Sequence, residues 1–226
     1  MSALLETLEV ETAPSPRAAV IWMHGLGADG HDFAGIERQV TPPGAAVRYV
    51  YPHAPMMAVT INNGYVMRAW YDVFGAAGER REDEAGVRAS QARVEQLIAR
   101  EKSRGIPARA IVLAGFSQGG AMALHTGLRH PERLAGVMAL SCFLPVARTL
   151  AAEASAPNRD VPIFMAHGVA DAVIPVTRAR AARDTLLGLG YKVEWHEYPM
   201  AHSLCPQEIE DIATWLERIL PNKETP

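Results

Sequence analysis

Cysteine is scarce in this chain: Cys142 and Cys205 are the two thiols in 226 residues. Two thiols do not build a disulfide framework, and the count suits a reducing compartment. Positive charge is in short supply as well. Lys and Arg number 22 against 25 Asp and Glu, the formal net charge is -3, and no basic cluster stands out. Nucleic-acid binding therefore has no electrostatic footprint. No apolar run is long enough to span a bilayer. Met1 to Glu6 lack a basic region followed by an apolar stretch, so no signal peptide is expected. The eight histidines contain no His-x-x-x-His pair and no Cys/His ligand spacing. No metal and no cofactor are expected on that ground. Repeats and low-complexity linkers are absent too, which leaves one domain over 1–226 and a cytoplasmic protein as the expectation.

What is present is an alternation of apolar runs and helical patterns. Ala18 to His24, Ala46 to Tyr51, Ala110 to Gly115, Gly136 to Ser141 and Val161 to His167 read as buried strands. Continuous Val/Ile/Leu runs of this length fit strands covered on both faces. Lys192 to Tyr198 alternates more and belongs nearer an edge, and Leu4 to Thr12 reads as another, more exposed strand. Helical patterns cover Glu84 to Lys102, Gln118 to Arg129, Thr177 to Leu187 and Pro206 to Leu220. Strand–helix–strand repetition predicts an α/β fold, a mostly parallel central sheet with helices on both faces and no large cap domain. Pro52 to Gly78 breaks the pattern and reads as a long loop rich in Met and aromatic residues. The charged run Glu79 to Glu84 reads as a solvated helix entry.

Gly115-Phe116-Ser117-Gln118-Gly119 matches the G-x-S-x-G pattern, with a strand pattern before it and a helix pattern after it. A nucleophilic serine there must project from a sharp turn, so its neighbours must be small. The following helix aims its free N–H groups and positive dipole end at a forming oxyanion. A serine hydroxyl needs a base, and in this arrangement the partners follow as Ser, Asp or Glu, His. His196 falls inside a strand pattern, whereas His202 lies in a loop past Tyr198-Pro199, so His202 is the expected base. Asp171 follows the turn after the Val161 to His167 strand. Asp160 sits at the wrong strand end and Asp184 falls within a helix, so Asp171 is the expected orienter of His202. Gln118 is expected to supply one oxyanion N–H, and Leu26, in the loop His24-Gly25-Leu26-Gly27, the other. The His24 side chain reads as a loop-fixing hydrogen bonder.

These segments resemble the carboxylesterase and acyl-protein thioesterase family. The likeness lies in His24 to Gly30, Ala69-Trp70-Tyr71-Asp72, Ala114 to Ala121, His167 to Asp171 and Tyr198 to Cys205, so it covers nearly the whole chain. Small bacterial carboxylesterases are the nearest likeness. One departure is Val169-Ala170, where the family often has a polar residue before the aspartate. The resemblance implies an α/β hydrolase with a Ser117–Asp171–His202 triad, Leu26 and Gln118 as oxyanion donors, an apolar acyl groove beside the Trp70 segment, and often a homodimer.

Met57, Trp70, Phe74, Leu144 and Val173 are the candidate substrate-binding residues. They either form an apolar wall for an acyl chain or pack beneath the long loop. The main functional expectation is a serine carboxylesterase acting on short- to medium-chain esters. An acyl-protein or small acyl thioesterase with the same triad is the alternative, and a non-catalytic binder of small ligands on this fold is the third reading. Cys142 and Cys205 read as packed structural thiols.

Overall fold

The computed structural model describes residues 4–75 and 81–220. The chain opens with strands β1 (Thr7–Glu11) and β2 (Ala18–Met23), a short helix α1 (Glu37–Val40) and strand β3 (Val47–Pro52). Four short strands follow: β4 (Met56–Val59), β5 (Tyr65–Arg68), β6 (Val73–Phe74) and β7 (Arg81–Glu82). Then helices and strands alternate. These are α2 (Glu84–Ser103), β8 (Ile111–Phe116), α3 (Gln118–Gly127), β9 (Gly136–Leu140) and α4 (Ala147–Glu153), followed by β10 (Ile163–Gly168), α5 (Val176–Gly188), β11 (Val193–Tyr198) and α6 (Pro206–Ile219).

Among the described residues, seven strands make the main sheet in the order β1-β3-β2-β8-β9-β10-β11. Only the β1–β3 pairing is antiparallel; the other neighbours run parallel. The continuous apolar runs take the positions that their composition demands. Every residue of β2, β3, β9 and β10 is buried, because parallel strands need cover on both faces. The partly exposed β1 and β11 occupy the two edges. Helix α3 packs on β8 and β9 and is itself covered by α2, while α1 packs on α6. The architecture is the α/β-hydrolase fold, a mostly parallel sheet flanked by helices. No helix among the described residues is long and apolar enough to cross a membrane.

Within the segment expected to be a loop from Pro52 to Gly78, residues 56–59, 65–68 and 73–74 form short strands, and Ala76 to Gly78 lie outside the described residues. Met56–Val59 and Tyr65–Arg68 pair as an antiparallel hairpin. Asn63 and Gly64 close it, both with positive φ, and Gly64 N–H donates to Val59 O at 3.0 Å. Asn-Gly is a hairpin turn signal, but the strands on each side are only four residues long. The hairpin turn is tied down by Asp72, whose carboxylate accepts from Thr60 N–H at 2.7 Å and Thr60 Oγ–H at 2.6 Å. Helices α1 and α4, of four and seven residues, are too short for a periodic signal. In the charged run, Asp83 caps α2 by accepting from Ala85 N–H. Glu79 and Arg80 lie outside the described residues, as do Met1 to Ala3 of the N-terminus.

Candidate active site

Four loops converge at the carboxyl ends of the parallel strands, the rim where open α/β sheets hold ligands. The loop after β2 carries Leu26, the turn after β8 carries Ser117, the turn after β10 carries Asp171, and the loop after β11 carries His202.

Ser117 is forced into that rim by backbone geometry. Its φ of 54° and ψ of -120° lie in a region that an L side chain rarely adopts, a conformation that costs about 1–3 kcal/mol. The surroundings hold it there. Ser117 N–H donates to Leu140 O at 2.8 Å, and Ser117 O accepts the first helical N–H, from Ala121, at 3.0 Å. The flanking glycines are required by contact. A Cβ on Gly115 would overlap the backbone of Gly119, and one on Gly119 would overlap the carbonyl groups of Met23 and His24. The turn thus lies directly against the end of β2.

The Asp171 carboxylate has no solvent exposure. Its Oδ1 accepts from the N–H groups of Val173 and Ile174, each at 2.8 Å. Its Oδ2 accepts from His202 Nδ1 at 2.6 Å. An ionised carboxylate only accepts, so the proton of neutral His202 sits on Nδ1 and the Nε2 lone pair is free to act as a base. The imidazole packs against Phe116, the residue before Ser117, with ring centroids 4.7 Å apart.

Two features behind this pair were not singled out from the sequence. His167 is buried and stands 3.3 Å from Asp171 Oδ2 through Nε2, which also donates to Ile174 O at 2.8 Å. Burial lowers its pKa and keeps it neutral. A histidine closing an otherwise apolar strand, four residues before the aspartate, is the sequence signal that marks it. Gly168 is the second feature. Its Cα faces the carbonyl oxygens of Met200 and Ala201 so closely that a Cβ would collide with both. Val169 N–H donates to Tyr198 O at 2.9 Å and Ala170 N–H to Met200 O at 3.0 Å. The aspartate turn and the histidine loop are therefore laced together by their backbones.

On the other flank, His24 Nε2 accepts from Ala54 N–H at 3.0 Å, so Nδ1 carries the proton and donates to Gly25 O at 2.7 Å. His24 thus holds its loop, as the sequence predicts, and burial lowers its pKa. Gly27 N–H donates to Arg68 O at 2.9 Å. Leu26 is fixed between these anchors.

A cleft opens to solvent beside Ser117. Leu26, Ser117 and Gln118 line it beside Ile61, Tyr71, Val73, Phe143, Val173 and Ile174, with Arg81, Glu82 and Arg178 as its charged groups. Of the five candidate substrate-binding residues, Val173 lines this cleft and is 52 % exposed. Trp70 requires a correction: it is fully buried and belongs to the support beneath the site. Trp70 N–H donates to Gln118 Oε1 at 3.0 Å, Trp70 Nε1–H donates to His24 O at 2.9 Å, and Gln118 Nε2–H donates to Tyr71 O at 2.8 Å. Phe74 points away while its neighbour Val73 lines the cleft, because successive strand side chains face opposite sides. Leu144 lines an adjoining depression with Ala147 and Thr185. Met57 is half-buried opposite Met67 in the β4–β5 hairpin, outside the cleft lining.

His196 lies in β11, stacked on Phe164 with ring centroids 5.0 Å apart, which fits a strand residue. Both cysteines are free; Cys142 is buried, and burial pushes its thiol up. Asp29, His31 and His53 cluster with ligand-type atoms within 4.8 Å of one another. His53 Nδ1 accepts from Gly30 N–H at 3.1 Å, which places its proton on Nε2 and leaves no free lone pair for a cation. The Arg68 charge also opposes a cation there.

Residues 6–220 match the sequence profile of the phospholipase/carboxylesterase family. The acyl-protein thioesterase 1 of Neurospora crassa is 42 % identical over 214 residues, covering 90 % of this chain and 87 % of that protein. The crystal structure of Arabidopsis thaliana SOBER1 superposes with a TM-score of 0.84 at 30 % identity, covering 91 % of this chain and all of that one. Esterase PE8 superposes with a TM-score of 0.82 at 26 % identity, covering 96 % of this chain and all of that one.

Proposed function

We propose, from the premise that this chain belongs to the phospholipase/carboxylesterase family and is a serine hydrolase of that family, that it cleaves acyl thioesters through an acyl-serine intermediate. One observation carries the chemistry: a buried carboxylate, Asp171, binds His202 Nδ1 at 2.6 Å beside the strained turn that presents Ser117. The thioester reading draws on the acyl-protein thioesterase to which 90 % of this chain aligns.

His202 Nε2 takes the Ser117 hydroxyl proton as Oγ attacks the acyl carbonyl carbon. Asp171 keeps the ring in register and stabilises the imidazolium that forms. The N–H groups of Gln118 and Leu26 receive the negative charge on the carbonyl oxygen. Each such donor contributes about 10²- to 10³-fold in rate. Collapse of the adduct expels the thiolate, which takes the His202 proton. Water then attacks the acyl-serine with His202 again as base, and the carboxylic acid leaves. The network from Gln118 through Trp70 to His24 holds both oxyanion N–H groups before substrate arrives, so little reorganisation is needed at the barrier.

A carboxylesterase activity is the second reading, favoured by the likeness to esterase PE8 along 96 % of this chain. An oxygen ester and a thioester of one acyl group separate the two. The thioester reading expects the higher kcat/KM on sulfur; a clear preference for oxygen favours the carboxylesterase. Fluorophosphonate labelling at Ser117 tests the shared chemistry. Folded protein that neither labels nor turns over either substrate removes both readings and leaves a binder.

A further inference from the structure

The cleft beside Ser117 is not uniformly apolar. Arg178 lines it from the first turn of α5, a place where the helix dipole disfavours a cation. Its guanidinium lies 4.0 Å from the ring centroid of Phe143, another lining residue. Among the described residues Arg178 has no ion pair. Tyr71 lines the same cleft, is fully buried, and leaves its hydroxyl without a hydrogen-bond partner. A buried hydroxyl without a partner is costly, and an acceptor supplied by a ligand removes that cost. Burial and the nearby Glu82 charge push the Tyr71 hydroxyl well above its usual range, so it remains a donor. Arg81 adds a second cation to the lining. Glu82, the acid among the lining residues, has Oε1 engaged by Val146 N–H at 3.1 Å.

Resting on the hydrolase reading above, we propose that Arg178 and Tyr71 form an anion-recognising subsite, so that this enzyme selects acyl substrates carrying a carboxylate. The apolar walls hold the neutral part of the substrate. Arg178 supplies charge and a fork of donors suited to a carboxylate, and the Tyr71 hydroxyl supplies one further donor. This sets a substrate class: esters or thioesters bearing a negative charge within reach of the cleft, on the acyl chain or on the leaving group.

Two matched pairs of substrates test it. Para-nitrophenyl butyrate against the para-nitrophenyl monoester of glutaric acid places the carboxylate on the acyl chain. The butyryl esters of methyl para-hydroxybenzoate and of para-hydroxybenzoate place it on the leaving group. We expect the charged member of at least one pair to be preferred in kcat/KM, and the pair identifies which side carries the anion. In Arg178→Met that charged-to-neutral ratio falls tenfold or more, Arg178→Lys restores part of it, and Tyr71→Phe lowers it several-fold. Thermal melting checks that each variant is folded; should Tyr71→Phe not fold, the Arg178 variants decide alone. Neutral esters hydrolysed with no charge preference, or a preference that Arg178→Met leaves intact, overturns the subsite and spares the hydrolase. Loss of all turnover together with an unlabelled Ser117 in the parent protein overturns the hydrolase reading, and the subsite with it.

Discussion

His202 and Asp171 are joined by a 2.6 Å hydrogen bond from Nδ1 to Oδ2, while the second carboxylate oxygen is saturated by two backbone N–H groups. The carboxylate therefore cannot turn to offer its other oxygen without breaking two bonds. That immobility fixes the tautomer of the base, and the first prediction follows from it. Asp171→Asn keeps the shape but can present a donor to Nδ1, which favours the wrong tautomer. We expect kcat to fall about 10³- to 10⁴-fold with the fold retained, measured on a chromogenic acyl ester. A loss under tenfold would show that the pair does not set the tautomer.

Gly168→Ala tests how the two loops are held together. The added methyl group collides with the carbonyl oxygens of Met200 and Ala201 and pushes the His202 loop from the Asp171 turn. We expect about 1–3 kcal/mol of destabilisation in denaturant titrations, from overpacking at a site with no slack. The expected drop in kcat is at least tenfold. Unchanged kcat and stability would mean that the loops shift freely.

Trp70→Phe removes one donor beneath the oxyanion loop while keeping an aromatic ring. The His24 carbonyl loses its 2.9 Å partner. We expect about 1 kcal/mol less stability and a several-fold fall in kcat with KM nearly unchanged. A rise in KM alone would return Trp70 to the wall of the acyl groove.

Glu208 gives a pH signature. It is buried in the first turn of α6, and burial pushes its pKa up to about 8 against the lowering effect of a backbone hydrogen bond at Cys205. The folded state then holds a proton that the unfolded chain has released. Its contribution is fully present below the ordinary glutamate range and is lost as pH rises toward about 8. Glu208→Gln abolishes this loss. We expect the variant to gain on the parent by a few kcal/mol between pH 5 and pH 8, read from chemical denaturation at each pH. A constant difference across that range contradicts the assignment.

Much of the site was legible because its chemistry leaves local marks. Ser117 stands in a glycine-flanked turn between a strand and a helix, and each glycine is demanded by a backbone collision. Asp171 follows an apolar run that had to be a buried strand, and His202 follows the alternating run of the edge strand β11. The carboxyl-end rule then places them on one rim. His167 carries a local signal, a histidine near the end of an apolar strand four residues before the aspartate, but that its Nε2 faces the carboxylate is decided by the fold. Trp70 was misassigned because an aromatic residue near a functional loop looks the same whether it meets substrate or supports the loop.

Sequence alone determined the alternation of strands and helices, the edge position of β11 and the glycine-flanked strand–turn–helix around Ser117. These depend on periodicity, glycine spacing and chain order, which are properties of neighbouring residues. Tertiary structure alone decided which side chains face the cleft, that Gln118, Trp70 and His24 form one support, and that Gly168 laces two loops together. Those facts depend on distances between residues far apart in the chain, set by how the sheet twists and packs.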